Sequence, residues 1–454
     1  MSLTDKVVYD KRQKKDKIYE EELRMKLIQG GMIVDPKKGI MYQGDILIRD
    51  GKIEKIAEHI NPADYDGAQI IDAAGRKIGP GLVDVHVHFR DPGFTYKEDI
   101  ETGAGAAAKG GYTAVVLMAN TKPSVDNTET LKYVLEKGEK TAIHVHTCAS
   151  ITESLKGEKM TDMSALYKTG AVGFTDDGIP IMSEDLVRKA MEEAVKLDVP
   201  LSFHEEDPAY IENNGINRGK ASEYFGIGGS DRMAEISLVK RDLELALSTG
   251  AIFNVQHISA KESVELVRKA KQKAAQLSQS NIHAEATPHH FTLTEEAAIE
   301  HGTLAKMNPP LREEADRQAV IEGLKDGTID LIATDHAPHS AEEKSREITE
   351  APSGIIGLET AFALAVTHLV KPGHLTLVQL FERMSYAPAQ MYHLPYGVIE
   401  EGADADFIVF DDEQQVTFDY FVSRSSNSPF LGQTFYGTID MTICKGEIAY
   451  ENTK

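Results

Sequence analysis

Between residues 81 and 396, short apolar, β-branched segments alternate with segments of helical period, and this alternation constrains the fold more than any other feature. The strand-like runs are "LVDVHVHF", "YTAVVLMAN", "AIHVHTC", "GAVGFTDD", "VPLSFHEE", "AIFNVQHIS", "NIHAEATPHH" and "IDLIATDHAPH". Helix signals separate them. In "SEDLVRKAMEEAVKLD", Ser183 stands where a cap belongs and acids fill the first turn. Alternating βα units imply a parallel sheet, and eight of them suggest an α/β protein built on a closed (β/α)8, TIM-like barrel. The alternative is an open doubly wound sheet, but no Gly-rich phosphate fingerprint follows the first strand.

Both ends of the chain read differently. "GDILIRDGKIEKIAE" carries an Asp-Gly step between apolar alternations, a strong hairpin signal. "GTIDMTICKGEIAY" has a Lys-Gly turn between two short strands. A small β-sandwich assembled from residues 25–80 and 397–454 is therefore expected beside the barrel at 81–396. Residues 1–24 mix both charges, lack an apolar signal core and are expected to form an exposed or helical extension.

Most of the eight segments end in polar residues able to hold a metal or a substrate: His86 and His88, Asn120, Asp177, His204, His257, His289 and His290, and Asp335. The C-terminal strand ends of such a barrel form one face, where active sites sit. Side chains at i and i+2 of a strand share a side, so His86 and His88 can reach one ion, and imidazole nitrogen suits Zn²⁺. His144 and His146 repeat that spacing on the third segment without the Arg that follows the first pair. Packing or a supporting role is expected for them, and likewise for His289 and His290.

The motifs "VDVHVHFRDPG", "MANTKPSVDN", "GFTDDG", "NPPLR" and "ATDHAPH" together resemble the dihydroorotase family in its bacterial class I form, from about Met25 to the end of the chain. The resemblance implies a cyclic amidohydrolase of pyrimidine biosynthesis, which interconverts N-carbamoyl-L-aspartate and (S)-dihydroorotate. It also implies two Zn²⁺ per chain, bridged by Asp177 and a hydroxide. His86 and His88 match the ligands of one ion, and His204 and His257 those of the other. Asp335 matches a residue that binds metal and moves the proton. Arg90, Asn120 and His339 match contacts to the substrate carboxylate. Asn308, Ser353 and Gly354 match further substrate contacts, and His88 touches substrate as well as metal.

Two other readings compete. One is a different cyclic amidohydrolase, such as an allantoinase or a hydantoinase-like enzyme. Arg90 and Asn120, which call for a substrate carboxylate, and an Asp bridge in place of Lys argue against it. The other is a catalytically dead relative that scaffolds aspartate transcarbamoylase, and the six filled ligand positions argue against that. Composition sets outer bounds. A net charge of −23 disfavours nucleic acid or an anionic membrane surface as partner. Two distant cysteines, Cys148 and Cys444, offer no disulfide framework and suit a reducing cytoplasm. A homodimer, with or without a transcarbamoylase complex, is the expected assembly.

Overall fold

The computed structural model describes residues 25–453, so the expected extension over 1–24 lies outside the described residues. The chain opens with β1 (Met25–Asp35), β2 (Ile40–Arg49), β3 (Lys52–Ala57), β4 (Gln69–Asp72) and β5 (Lys77–Pro80). The barrel strands follow: β6 (Leu82–Val87), β7 (Tyr112–Leu117), β8 (His144–Thr147), β9 (Leu201–Phe203), β10 (Phe253–Val255), β11 (Ile282–Ala286) and β12 (Leu331–Ile332). The chain ends with β13 (Phe407–Thr417), β14 (Thr434–Cys444) and β15 (Glu447–Glu451).

The wall of the barrel is parallel, in the orders β6-β7-β8 and β9-β10-β11-β12. Single-residue bridges close it. Phe174 pairs with Ala149 after β8 and with Leu201 of β9, and Val87 pairs with His336 beyond β12. The fourth expected segment, "GAVGFTDD", thus holds its place in the wall through one residue. The reason lies in its polar end. Asp176 accepts from Ile151 N at 2.8 Å and Thr152 N at 3.0 Å, and Gly178 turns the chain at φ +80°. Loop capping takes the place of a longer ladder.

The helices pack outside. In the helix Glu184–Leu197, Ser183 Oγ accepts from Leu186 N, while Leu186, Ala190 and Ala194 with Val187 and Met191 form the buried stripe. That stripe joins Val115, Leu117, Phe174, Leu201 and Phe253 in one core. Among the described residues no helix is long and apolar enough to cross a membrane.

Both ends of the chain meet in one eight-stranded sheet, because β5 of the first part pairs antiparallel with β13 of the second. Ile28, Ile33, Ile46, Ile78, Phe407, Val409 and Ile443 form its apolar cluster. The two hairpin turns expected from sequence are present. Asp50-Gly51 and Lys445-Gly446 all take positive φ, which a tight two-residue turn requires. The turns also touch: a Cβ at Gly446 would lie 2.6 Å from Gly51 Cα, so glycine is needed there for close approach.

Candidate active site

The strand ends bring His86, His88, Asp177, His204, His257 and Asp335 into one place. His86 Nε2 lies 3.4 Å from Asp177 Oδ1 and 3.5 Å from Asp335 Oδ1. His88 Nε2 lies 3.5 Å from Asp177 Oδ2 and 3.0 Å from Asp335 Oδ1. His204 Nδ1 and His257 Nε2 face each other at 3.0 Å. The pairing of β6 with β7 shifts register between Asp84 and Val87, an irregularity of the kind that re-aims side chains beside active sites. Arg90, His257 and Asp335 have φ of +57°, +29° and +48°. Such left-handed non-glycine residues cost about 1–3 kcal/mol each and concentrate at functional sites.

This donor set fits divalent metal. His86, His88 and Asp335 offer ligand atoms within 4.8 Å of one another, as do His86, Asp177 and His257. A tetrahedral ion with bonds of ~2.0–2.1 Å sets its ligand atoms about 3.3–3.4 Å apart, close to the spacings above. His86 Nε2 is buried and has no hydrogen-bond partner, an orphan that a metal would satisfy. Burial works against the charge of Asp177, but His86, His88 and His204 hold its carboxyl well below the usual range. Burial, with His204 and His86 nearby, pushes His257 well down, which leaves it the neutral imidazole that a ligand must be.

Supporting groups hold these side chains. The buried Glu285 carboxylate accepts from His86 Nδ1, from Asn254 Nδ2 at 2.8 Å and from His257 N at 3.2 Å. Asn120 Oδ1 meets His88 Nδ1 at 2.9 Å, and its Nδ2 donates to Asp177 Oδ2 at 2.8 Å. His204 Nε2 lies 3.2 Å from both Glu206 Oε2 and Asn308 Nδ2. Such partners fix ring orientation and tautomer.

A cavity of about 320 Å³ opens over the cluster, lined by His88, Arg90, Asn120, Asp177, His204, His257, Asn308, Asp335, His339, Ser353 and Gly354. His86 sits behind its wall. Arg90 Nε donates to Pro338 O at 3.2 Å, and Nη2 lies 3.4 Å from His339 Nε2. Asp91 and Asp99 are engaged elsewhere, Asp91 with Lys137 and Asp99 with Arg424. Among the described residues Arg90 forms no ion pair. Burial, Arg90 and Lys97 together hold His339 well below its ordinary range, hence neutral.

The remaining histidines lie off the cavity. His144 Nε2 pairs with Asp406 Oδ2 at 2.8 Å, and His146 Nε2 meets Tyr396 OH at 3.2 Å. His289 and His290 fall in a short helix, Pro288–Thr292, where His290 Nε2 meets Pro309 O at 3.1 Å. Sequence reasoning missed Glu285, which reads as an ordinary strand residue, and Asn214, which lines the cavity. It also missed Asn427, whose Nδ2 donates to Ala337 O at 3.0 Å and Gly354 O at 3.1 Å. No local motif announces a loop residue that reaches the site from between β13 and β14.

Comparison with known proteins agrees with this geometry. The Dihydro-orotase-like family model matches residues 75–263. The chain is 54% identical over 426 residues to the dihydroorotase of Clostridioides difficile (strain 630), an alignment covering 94% of this chain and 100% of the relative. It is 49% identical over 430 residues to the dihydroorotase of Clostridium acetobutylicum, again covering 94% and 100%. Among solved structures, an L-hydantoinase (dihydropyrimidinase) from Arthrobacter aurescens superposes with a TM-score of 0.83 at 24% identity, covering 94% of this chain and 96% of that one. A dihydropyrimidinase from Brevibacillus agri gives 0.81 at 22% identity, covering 95% and 96%. At such low identity these two speak for the shared fold alone.

Proposed function

The chain belongs to the dihydroorotase family, and on that premise we propose that the strand-end cluster is the catalytic centre of a two-metal dihydroorotase. The enzyme opens and closes the cyclic amide of dihydroorotate, with N-carbamoyl-L-aspartate as the open form, in pyrimidine biosynthesis. The observation that carries the assignment of the site is Arg90: a guanidinium without a carboxylate partner shares one cavity with the His–Asp cluster.

His86, His88 and Asp335 would hold one ion, His204 and His257 the other, and Asp177 both. The nitrogen and oxygen donor set suits zinc. Ions bound there would acidify water and polarise the amide carbonyl. The protein groups do the rest. Arg90 offers a planar fork to the substrate carboxylate, with His339 beside it. Asn308 and the Ser353–Gly354 backbone line the ring's side of the cavity. Asn308 Oδ1, buried without a partner, is free to accept from the ring. Asn120 steadies His88 and Asp177 in addition to facing the cavity. Asp335 takes the proton of the attacking water and returns it to the departing ring nitrogen, and cyclisation runs the same path backwards. Acid–base help of this kind contributes about 10²- to 10⁴-fold.

The family resemblance also implies a cytoplasmic homodimer that can associate with aspartate transcarbamoylase, which sedimentation with and without that partner tests. The function itself is tested by a substrate panel on purified protein. Dihydroorotate should be turned over far better than dihydrouracil or allantoin, which lack the carboxylate. Equal turnover of all three contradicts the assignment of Arg90.

A further inference from the structure

The stretch 345–354 runs from the short helix Ala341–Lys344 to Ser353 and Gly354 at the cavity wall. Two lysines grip it. Lys344 Nζ donates to Pro352 O at 2.9 Å and Gly354 O at 3.0 Å. Lys306 Nζ donates to Ile348 O and Ala351 O, each at 2.7 Å. Gly354 N in turn donates to Lys306 O at 2.9 Å. The lysines are 4% and 5% exposed, and neither forms an ion pair among the described residues. The nearby Glu343 is turned to Lys97 at 2.8 Å.

A buried ammonium without a counter-ion is expensive to keep. Burial indeed depresses both lysines. Neutral donors could hold the same carbonyls, as Asn427 does at Gly354 O. The charge therefore needs a reason beyond the hydrogen bonds. The cavity beside the strap already holds Arg90 without a carboxylate partner, and Lys97 Nζ lies 3.2 Å from His339 Nδ1. Glu343 compensates Lys97, so in a chain of net charge −23 Arg90 and the two lysines stand as uncompensated cations on this side among the described residues.

We propose that Lys306 and Lys344 are positioning residues that set specificity: their ammonium groups strap residues 348–354 to the cavity, fix Ser353 and Gly354, and favour a carboxylate-bearing ring over a neutral one. The inference rests on reading the cavity as the site of a ring with a carboxylate.

The test uses full-length Lys344→Met, Lys344→Gln and Lys306→Met, with Arg90→Lys in parallel. Steady-state hydrolysis of dihydroorotate and dihydrouracil is measured, together with melting temperature and metal content. Each lysine variant should raise KM for dihydroorotate about tenfold or more while kcat changes less than about threefold. Dihydrouracil, which shares the ring but lacks the carboxylate, should lose less than about threefold, so discrimination between the two rings shrinks. Lys344→Gln keeps a donor to Pro352 O and Gly354 O without the charge, and should raise KM too. A purely structural role would lower kcat on both substrates alike and leave KM for dihydroorotate at the wild-type value, and that result overturns the proposal. If Lys306→Met does not fold, the two Lys344 variants decide. If the lysine variants keep wild-type KM while Arg90→Lys raises it, this inference alone is wrong. If Arg90→Lys also leaves KM unchanged, the carboxylate reading falls with it.

Discussion

Replacing Arg90 by Lys should remove most of the efficiency on dihydroorotate while the fold stays intact. The guanidinium has one carbonyl bond, to Pro338 O at 3.2 Å, and no ion pair among the described residues, so its fork is available to substrate. Lysine keeps the charge but offers a point donor on a flexible stem, and one of two parallel charge-assisted bonds is lost. A hydrogen bond to a charged group contributes about 1.5–3 kcal/mol, so kcat/KM should fall about 10- to 150-fold. The carboxylate is held in ground and transition states alike, so KM should carry most of the loss. The assay is initial-rate hydrolysis over a range of dihydroorotate concentrations, with dihydrouracil as the control ring and circular dichroism as the check on folding. A folded Arg90→Lys variant within about twofold of wild type on dihydroorotate would refute the reasoning, because no bidentate contact would then have been lost.

Other outcomes follow from the same geometry. Glu285→Gln removes the negative charge of the acceptor that orients His86 and should weaken metal affinity about 10- to 100-fold, read by competition with a chelator; unchanged affinity would contradict the role of Glu285. Asp335→Asn should lose activity in both directions while circular dichroism is unchanged, and near wild-type rates with metal bound would pass the proton role to another group, His339 first. Phe174 is fully buried and carries both bridges of the fourth segment, so Phe174→Ala should lower stability by about 3–5 kcal/mol in chemical denaturation. Burial depresses Lys344 to about 7 in the folded chain, whereas free lysine titrates at about 10.4. Between those values the unfolded chain binds more protons, so wild type should gain stability relative to Lys344→Met as pH rises from about 7 to 10. Urea midpoints across that range test it, and the opposite slope would contradict the lowering of Lys344 by burial.

The sequence reveals the barrel because parallel strands buried on both faces must be short, apolar and spaced by helices. It reveals the candidate metal-binding residues because charged or imidazole side chains ending such strands have no packing reason to be there. Histidine spacing carries less information than it promises. His86/His88 and His144/His146 share one pattern, yet only the first pair joins the strand-end His–Asp cluster, while His144 turns to Asp406 and His146 to Tyr396. The weak pairing of the fourth segment was hidden because its end, "TDDG", spends Asp176 on capping the next loop. Glu285, Lys306, Lys344 and Asn427 were illegible for one physical reason. Each acts on a residue brought near by the fold, and nothing in its neighbours along the chain marks that contact.

Metal content measured together with dihydroorotate hydrolysis on one purified sample tests the central claim most directly. The claim is that six strand-end residues hold two ions on which this activity depends. Wild type should contain close to two zinc-like ions per chain, and His204→Ala should lose the second ion first because His86 and His88 still hold the other. Activity should track the doubly loaded fraction as metal is removed and restored. Full dihydroorotate hydrolysis by protein that holds one ion or none would contradict it.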